Sequence, residues 1–221
     1  MEKVEVKICG ITECEDALRA VKLGAGALGF IFAPSPRQIL PEAARRIIQA
    51  IPPFVKTVGV FVNEEADTIR EHINYCGLDL VQLHGNESPV FCRELMPYTI
   101  KAFRIKDDSS LQMCTAYQAN VRAVLLDTYA KDKIGGTGKT FDWQLAIKIK
   151  EAGTPVILSG GLGPANIEEA IRVARPYAVD VNRGVEERPG KKSYRMMKEL
   201  MEKVERTEKM NIEHRTFNIE R

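Results

Sequence analysis

Cys9, Arg37, His84, Asp127 and Asp180 are the side chains of this sequence best suited to chemistry, and each stands at or just past the end of a short β-branched run. Cys9 ends VEVKIC before Gly10, and Arg37 follows ALGFIF within APSPR. His84 ends LDLVQLH, Asp127 ends VRAVLLD, and Asp180 lies in YAVDV with Asn182 just beyond it. A carboxyl group and a thiol can act as an acid and base pair, and a guanidinium offers a planar fork that matches a carboxylate. Each residue also has an ordinary explanation: a packed thiol for Cys9, a rim histidine for His84, a turn or cap for Asp127, a surface ion pair for Arg37. Independent structural roles would not need to gather at the ends of strands, so their shared placement favours a common site.

Glycines form a second constellation. LSGGLGPANI puts Gly160 and Gly161 after one β-branched run, and Gly184 follows the next. Backbone amides in such loops bind phosphate, and Pro164 reads as the opening residue of a helix whose first turn offers further amides. The alternative is a pair of tight turns that need only glycine's freedom in φ. GGTGKT at 135–140 resembles a nucleotide-binding loop but fails on spacing, because the position five residues before Gly138 is Lys133. A mobile loop covering the site is the expectation there.

The elements that must position these residues follow from the pattern. Eight β-branched runs (VEVKIC, ALGFIF, TVGVFV, LDLVQLH, TIKAFRI, VRAVLLD, PVILSG and YAVDV) alternate with segments of helical period. Pro41 opens a segment with Ala44, Ile47, Ile48 and Ile51 on one face; the next carries Ala66, Ile69, Ile73 and Cys76 and stops at Gly77. Such alternation means parallel pairing, and eight units in one domain predict a single-domain α/β protein of the (β/α)₈ barrel class. A doubly wound open sheet is the other option. The first run separates Val4, Val6 and Ile8 from Glu5, Lys7 and Cys9, which suits a strand directing polar groups into a barrel lumen better than one buried on both faces. The barrel is expected over residues 1–206, with a charged extension over 207–221 that frays.

With 221 residues and 44% hydrophobic content the chain can bury one large core. A net charge of +2, with neither sign in a block, argues against a nucleic-acid partner. No window has the length of a membrane span and the start lacks a signal peptide, so a cytoplasmic protein is expected. Five cysteines without CxxC spacing point to neither a disulfide framework nor a metal site.

The blocks VKICGIT, GALGFIFAPSPR, VGVFVN, VQLHGNE, LLDT, GGTGKTFDW, LSGGLGPANI and AVDVNRGVEERPG, in this order, resemble the phosphoribosylanthranilate isomerase family from about Val4 to Glu205. The resemblance implies a phosphosugar substrate, N-(5′-phosphoribosyl)anthranilate, and its Amadori rearrangement in tryptophan biosynthesis without metal or organic cofactor, by a monomer or homodimer. It implies Asp127 as acid, Cys9 as base, and Arg37, His84 and Asp180 as substrate-binding. Phosphate would lie on Gly160, Gly161, Asn182 and Gly184. A carboxyl group starts near pKa ~3.9 and a thiol near ~8.5, so the site must tune them; Lys7, on the same strand face as Cys9, is expected to lower the thiol.

This chain departs from the family pattern at Asn182 and Arg183, where paired serines are frequent, and at Ser193, where an acidic residue is frequent. These departures are expected to touch phosphate binding. Three other readings compete. The related barrel isomerase of histidine biosynthesis uses aspartate where Cys9 stands. A non-catalytic phosphosugar-binding barrel would need no acid and base together. A Schiff-base aldolase would need a lysine at a strand end, and Lys7 lies too early while Lys101 stands at the beginning of its run.

Overall fold

The eight β-branched runs each form one strand in the computed structural model, which describes residues 3–105, 109–127, 144–151 and 153–219. The strands are β1 (Glu5–Ile8), β2 (Ala27–Ile31), β3 (Lys56–Phe61), β4 (Leu80–Leu83), β5 (Thr99–Arg104), β6 (Ala123–Asp127), β7 (Val156–Ser159) and β8 (Ala178–Val181). They pair in sequence order, all parallel, and close into a barrel. Closure is made by β1 against β8, where Glu5 stands opposite Ala178 and Lys7 opposite Asp180.

Helices α1 (Cys14–Lys22), α2 (Pro41–Ala50), α3 (Ala66–Cys76), α4 (Pro89–Glu94), α5 (Ser109–Thr115), α6 (Gln144–Glu151), α7 (Ile167–Ala174) and α8 (Tyr194–Ile219) follow the strands in turn. As read from the sequence, Pro41 occupies the first turn of α2, and α3 stops at a left-handed Gly77. After β8 a short antiparallel hairpin, β9 (Glu186–Arg188) with β10 (Lys191–Lys192), precedes α8. Among the described residues no helix is long and apolar enough to cross a membrane.

Two apolar layers result from the period-2 alternation of the strands. Val4, Val6 and Ile8 face outward and join the large core between barrel and helices, together with Leu28, Phe30, Leu83, Leu126 and Leu158. Val58, Ile100, Ala102, Ala123, Leu125, Ile157 and Ala178 fill the lumen as a separate cluster. The polar residues of the first strand therefore point where the alternation predicts.

One expectation is corrected. Helix α7 begins at Ile167 and not at Pro164, because the Asn166 side chain folds back to accept from Gly163 N–H at 3.0 Å and donate to the Gly161 carbonyl at 3.1 Å, which holds the preceding turn out of the helix. Helix α8 runs to Ile219. Thr207 is buried, Glu208 accepts from the Val4 N–H at 2.6 Å, and Arg206 pairs with Glu168 at 2.7 Å. Pairs one turn apart, Lys198 with Glu202 and Glu205 with Lys209, support the charged part of this helix.

The loops after β7 and β8 meet backbone to backbone. A Cβ on Gly184 would strike the Leu162 carbonyl oxygen and come within 2.9 Å of the Gly163 Cα. Gly184→Ala is expected to destabilise the barrel by about 1–3 kcal/mol through this overpacking, seen as a lower midpoint of thermal unfolding; an unchanged midpoint would show that the two loops can separate freely.

Candidate active site

Cys9 lies one residue past β1, but its N–H still bonds Val181 O at 2.9 Å, so the barrel ladder holds it at the mouth. It is 4% exposed. The room for its sulfur comes from Gly29 on β2: a Cβ there would stand 2.7 Å from Cys9 Sγ and 3.0 Å from Lys7 Cε. Lys7, buried in the lumen below Cys9, donates to Asp180 Oδ1 and to Gln82 Oε1, both at 2.9 Å. Asp180 also lies 3.4 Å from Ser159 Oγ.

The electrostatics of this cluster differ from expectation. Burial pulls the Lys7 ammonium down, but Asp180 and Cys9 outweigh it and hold the group above its ordinary value, so Lys7 stays charged. Burial pushes the Cys9 thiol up; Lys7 and Lys192 act in the lowering direction, Asp180 adds to the rise, and the net shift is upward. The lysine influence has the sign read from the sequence. Desolvation is larger, because a thiolate in a dry lumen loses more hydration than one neighbouring cation returns.

Asp127 ends β6 with its side chain 22% exposed, and its Oδ2 lies 3.3 Å from His84 Nε2. The other ring nitrogen of His84 lies 3.1 Å from Gln82 Nε2. The loop bearing His84 is fixed beneath by Glu87, which accepts from Asn63 N–H at 2.8 Å and from Gly85 N–H and pairs with Lys101 at 3.1 Å. Lys101 also donates to the carbonyls of Leu83 and Gly85. It lies on the opposite face of β5 from Ile100 and Ala102, which line the lumen. Neither lysine of the aldolase reading is available: Lys7 is held by Asp180 and Gln82, and Lys101 faces away from the lumen and is paired with Glu87.

Arg37 and Asn182 meet through two residues that the sequence reading did not single out. The Arg37 Nε lies 2.9 Å from Glu186 Oε1 and its Nη2 lies 2.7 Å from Oε2. Glu186 accepts in addition from Lys192 Nζ at 2.8 Å, and Lys192, with no side-chain exposure, also donates to Asn182 Oδ1 at 3.0 Å. Burial raises the Glu186 carboxyl, yet bonds from Arg37 and Lys192 hold it below the ordinary range. Burial lowers Lys192, partly offset by Glu186 and Cys9. Arg37 is thus anchored along its Nε edge, which leaves Nη1 for a ligand. The only signal for Lys192 was alternation within KKS: Lys191 turns outward to Glu13 at 2.6 Å while Lys192 turns in. The signal for Gln82 was its spacing of two from His84 on one strand.

The two glycines after β7 take the left-handed conformations that a tight turn requires. Gly160 and Gly161 have φ of +86° and +65°, and nothing lies within 4 Å of a Cβ built on Gly161. Arg183 is exposed, whereas Asn182 is engaged by Lys192. Ser193 is not in these loops: it precedes α8, and its carbonyl accepts from Met197 N–H at 2.9 Å. That departure falls on a helix-cap position, where serine and aspartate serve alike. The segment 135–140, expected to cover the site, lies outside the described residues.

Comparison with known proteins identifies the family. A family model described as N-(5′-phosphoribosyl)anthranilate isomerase matches residues 6–203. Curated relatives of that name include one from Geobacter metallireducens, 51% identical over 91% of this chain and 98% of the relative. Another, from Moorella thermoacetica, is 46% identical over 95% and 93%. The crystal structure of phosphoribosyl anthranilate isomerase from Thermotoga maritima superposes with a TM-score of 0.84 at 45% identity, covering 91% of this chain and 98% of that one. A structure of the enzyme in complex with reduced 1-(o-carboxyphenylamino)-1-deoxyribulose 5-phosphate superposes at 0.82 with 43% identity and the same coverage. The chain therefore belongs to the N-(5′-phosphoribosyl)anthranilate isomerase family and is an isomerase of tryptophan biosynthesis.

Proposed function

We propose that this isomerase converts N-(5′-phosphoribosyl)anthranilate to 1-(2-carboxyphenylamino)-1-deoxyribulose 5-phosphate with Asp127 as general acid and Cys9 as general base. The observation that carries the reading is the placement of a carboxyl group and a thiol at the ends of β6 and β1, facing one mouth, with the Lys7 ammonium beneath the sulfur. The Asp127 carboxyl delivers its proton to the furanose oxygen; the ring C–O bond breaks and a protonated Schiff base forms on the anthranilate nitrogen. Cys9 thiolate then removes the C2′ proton, and the electron pair moves into the C1′–C2′ bond to give an enolamine, which tautomerises to the ketone. The substrate's own nitrogen takes up the charge, so no cofactor enters these steps.

Arg37 Nη1 serves the anthranilate carboxylate, and His84 and Asp180 line the site. Backbone amides of Gly160, Gly161 and Gly184 take the phosphate, beside Asn182. All five cysteines are free, which accords with a cytoplasmic enzyme. A Thermotoga maritima relative is described as dimeric; for this chain, light scattering distinguishes monomer from homodimer.

Turnover is read as the decay of fluorescence of freshly generated phosphoribosylanthranilate. Cys9→Ala and Asp127→Ala are each expected to lower kcat by about 10²–10⁴-fold, and undiminished turnover in either removes that residue from its role. Thiolate absorbance, taken as the difference from Cys9→Ala so that surface Cys14 cancels, is expected to place the Cys9 pKa above the ordinary thiol value. In Lys7→Met it is expected to move higher still, because the ammonium that favours thiolate is gone; an unmoved titration would show that Lys7 does not act on Cys9.

A further inference from the structure

The chain of polar groups that crosses the lumen from Lys7 to Asp127 has only one consistent arrangement of hydrogens. Lys7 carries donors and no acceptor, and its Nζ is held between Asp180 Oδ1 and Gln82 at 2.9 Å each. Gln82 must therefore turn its oxygen to Lys7. The reverse orientation would set an amide NH₂ against an ammonium in a lumen where Lys7, Gln82 and Asp180 are 3%, 2% and 5% exposed, and would forfeit the bond. The Gln82 Nε2 is then the atom that faces His84 Nδ1 at 3.1 Å. An amide nitrogen only donates, so Nδ1 must accept. A neutral ring that accepts at Nδ1 carries its proton on Nε2, and Nε2 is the atom 3.3 Å from Asp127 Oδ2.

We propose that Gln82 is a positioning residue for the isomerisation: through Lys7 it fixes His84 as the Nε2–H tautomer and so aims a donor at one oxygen of Asp127. The other oxygen, Oδ1, is left to carry the proton that goes to the substrate. As that proton leaves, the His84 Nε2–H, 3.3 Å from Oδ2, faces a growing negative charge, which favours the transfer. The same lysine acts on Cys9, so the base and the acid are oriented from one buried ammonium. This inference rests on the reading of Asp127 as the acid.

The test uses the full chain labelled with ¹⁵N-histidine, with the His84 signals assigned by their loss in His84→Asn. The parent is expected to show a bare, pyridine-type Nδ1 and a protonated Nε2. Gln82→Glu keeps an oxygen for Lys7 but replaces the donor facing His84 by an acceptor. In that variant Nδ1 is expected to gain a proton, and kcat to fall about tenfold to a hundredfold while KM stays within about twofold. Gln82→Met, which neither donates nor accepts, is expected to release the tautomer into a mixture. A parent ring protonated at Nδ1, a pyridine-type Nδ1 surviving in Gln82→Glu, or an unchanged kcat in that variant would each overturn the proposal. The ring assignment is read without turnover, so a failure of Asp127 as the acid, seen as full kcat in Asp127→Ala, is told apart from a failure of Gln82 as the positioning group.

Discussion

The ion pair between Lys7 and Asp180 is the constraint around which the catalytic face is organised. An ammonium taken out of water costs several kcal/mol unless it is paired and its remaining protons are bonded, and here the lumen supplies both through Asp180 and Gln82. The two charged residues stand opposite one another across the seam that closes the barrel. A slip of β1 by one residue would turn Lys7 into the apolar shell and Ile8 into the polar lumen. Burial of this charge and closure of the sheet therefore enforce the same register.

A second polar centre organises the rim. Glu186 gathers Arg37 and Lys192, and Lys192 in turn holds Asn182. The small β9–β10 hairpin supplies both Glu186 and Lys192, so an element outside the barrel determines how the arginine after β2 and the asparagine after β8 face the mouth. One carboxylate between two cations leaves a net positive charge of one among these three groups, on the face where an anionic substrate would enter.

Most of the scaffold was legible in the sequence because it is written in local periodicities. The eight runs, the inward direction of Lys7 and Cys9, the helix start at Pro41 and the stop at Gly77 each depend on residues a few positions apart. Cys9, His84, Asp127 and Asp180 could be gathered into one site because strand ends in a closed parallel barrel share a face. Gln82, Glu186 and Lys192 were not read from the sequence: the ammonium that orders Gln82 lies 75 positions away and Glu186 meets Arg37 across 149, while the nearer signals, the spacing of Gln82 from His84 and the alternation within KKS, are faint. The net direction of the Cys9 shift was also hidden, because it depends on how completely the lumen is dry. The start of α7 turned on a side-chain bond from Asn166 that spacing does not reveal.

The closure of β1 on β8 has a temporal side. Lys7 and Asp180 are separated by 173 positions, nearly the whole length of the barrel. As the chain emerges during synthesis, β1 comes first and β8 last, so one edge of β1 has no ladder and Lys7 no counter-ion until the end. Throughout that interval the lysine stays hydrated and Cys9 is an ordinary, accessible thiol. The pairing of Lys7 with Asp180 beside this sulfur comes into being only with the final strand, and the thiol acquires its character at the moment the sheet becomes a barrel.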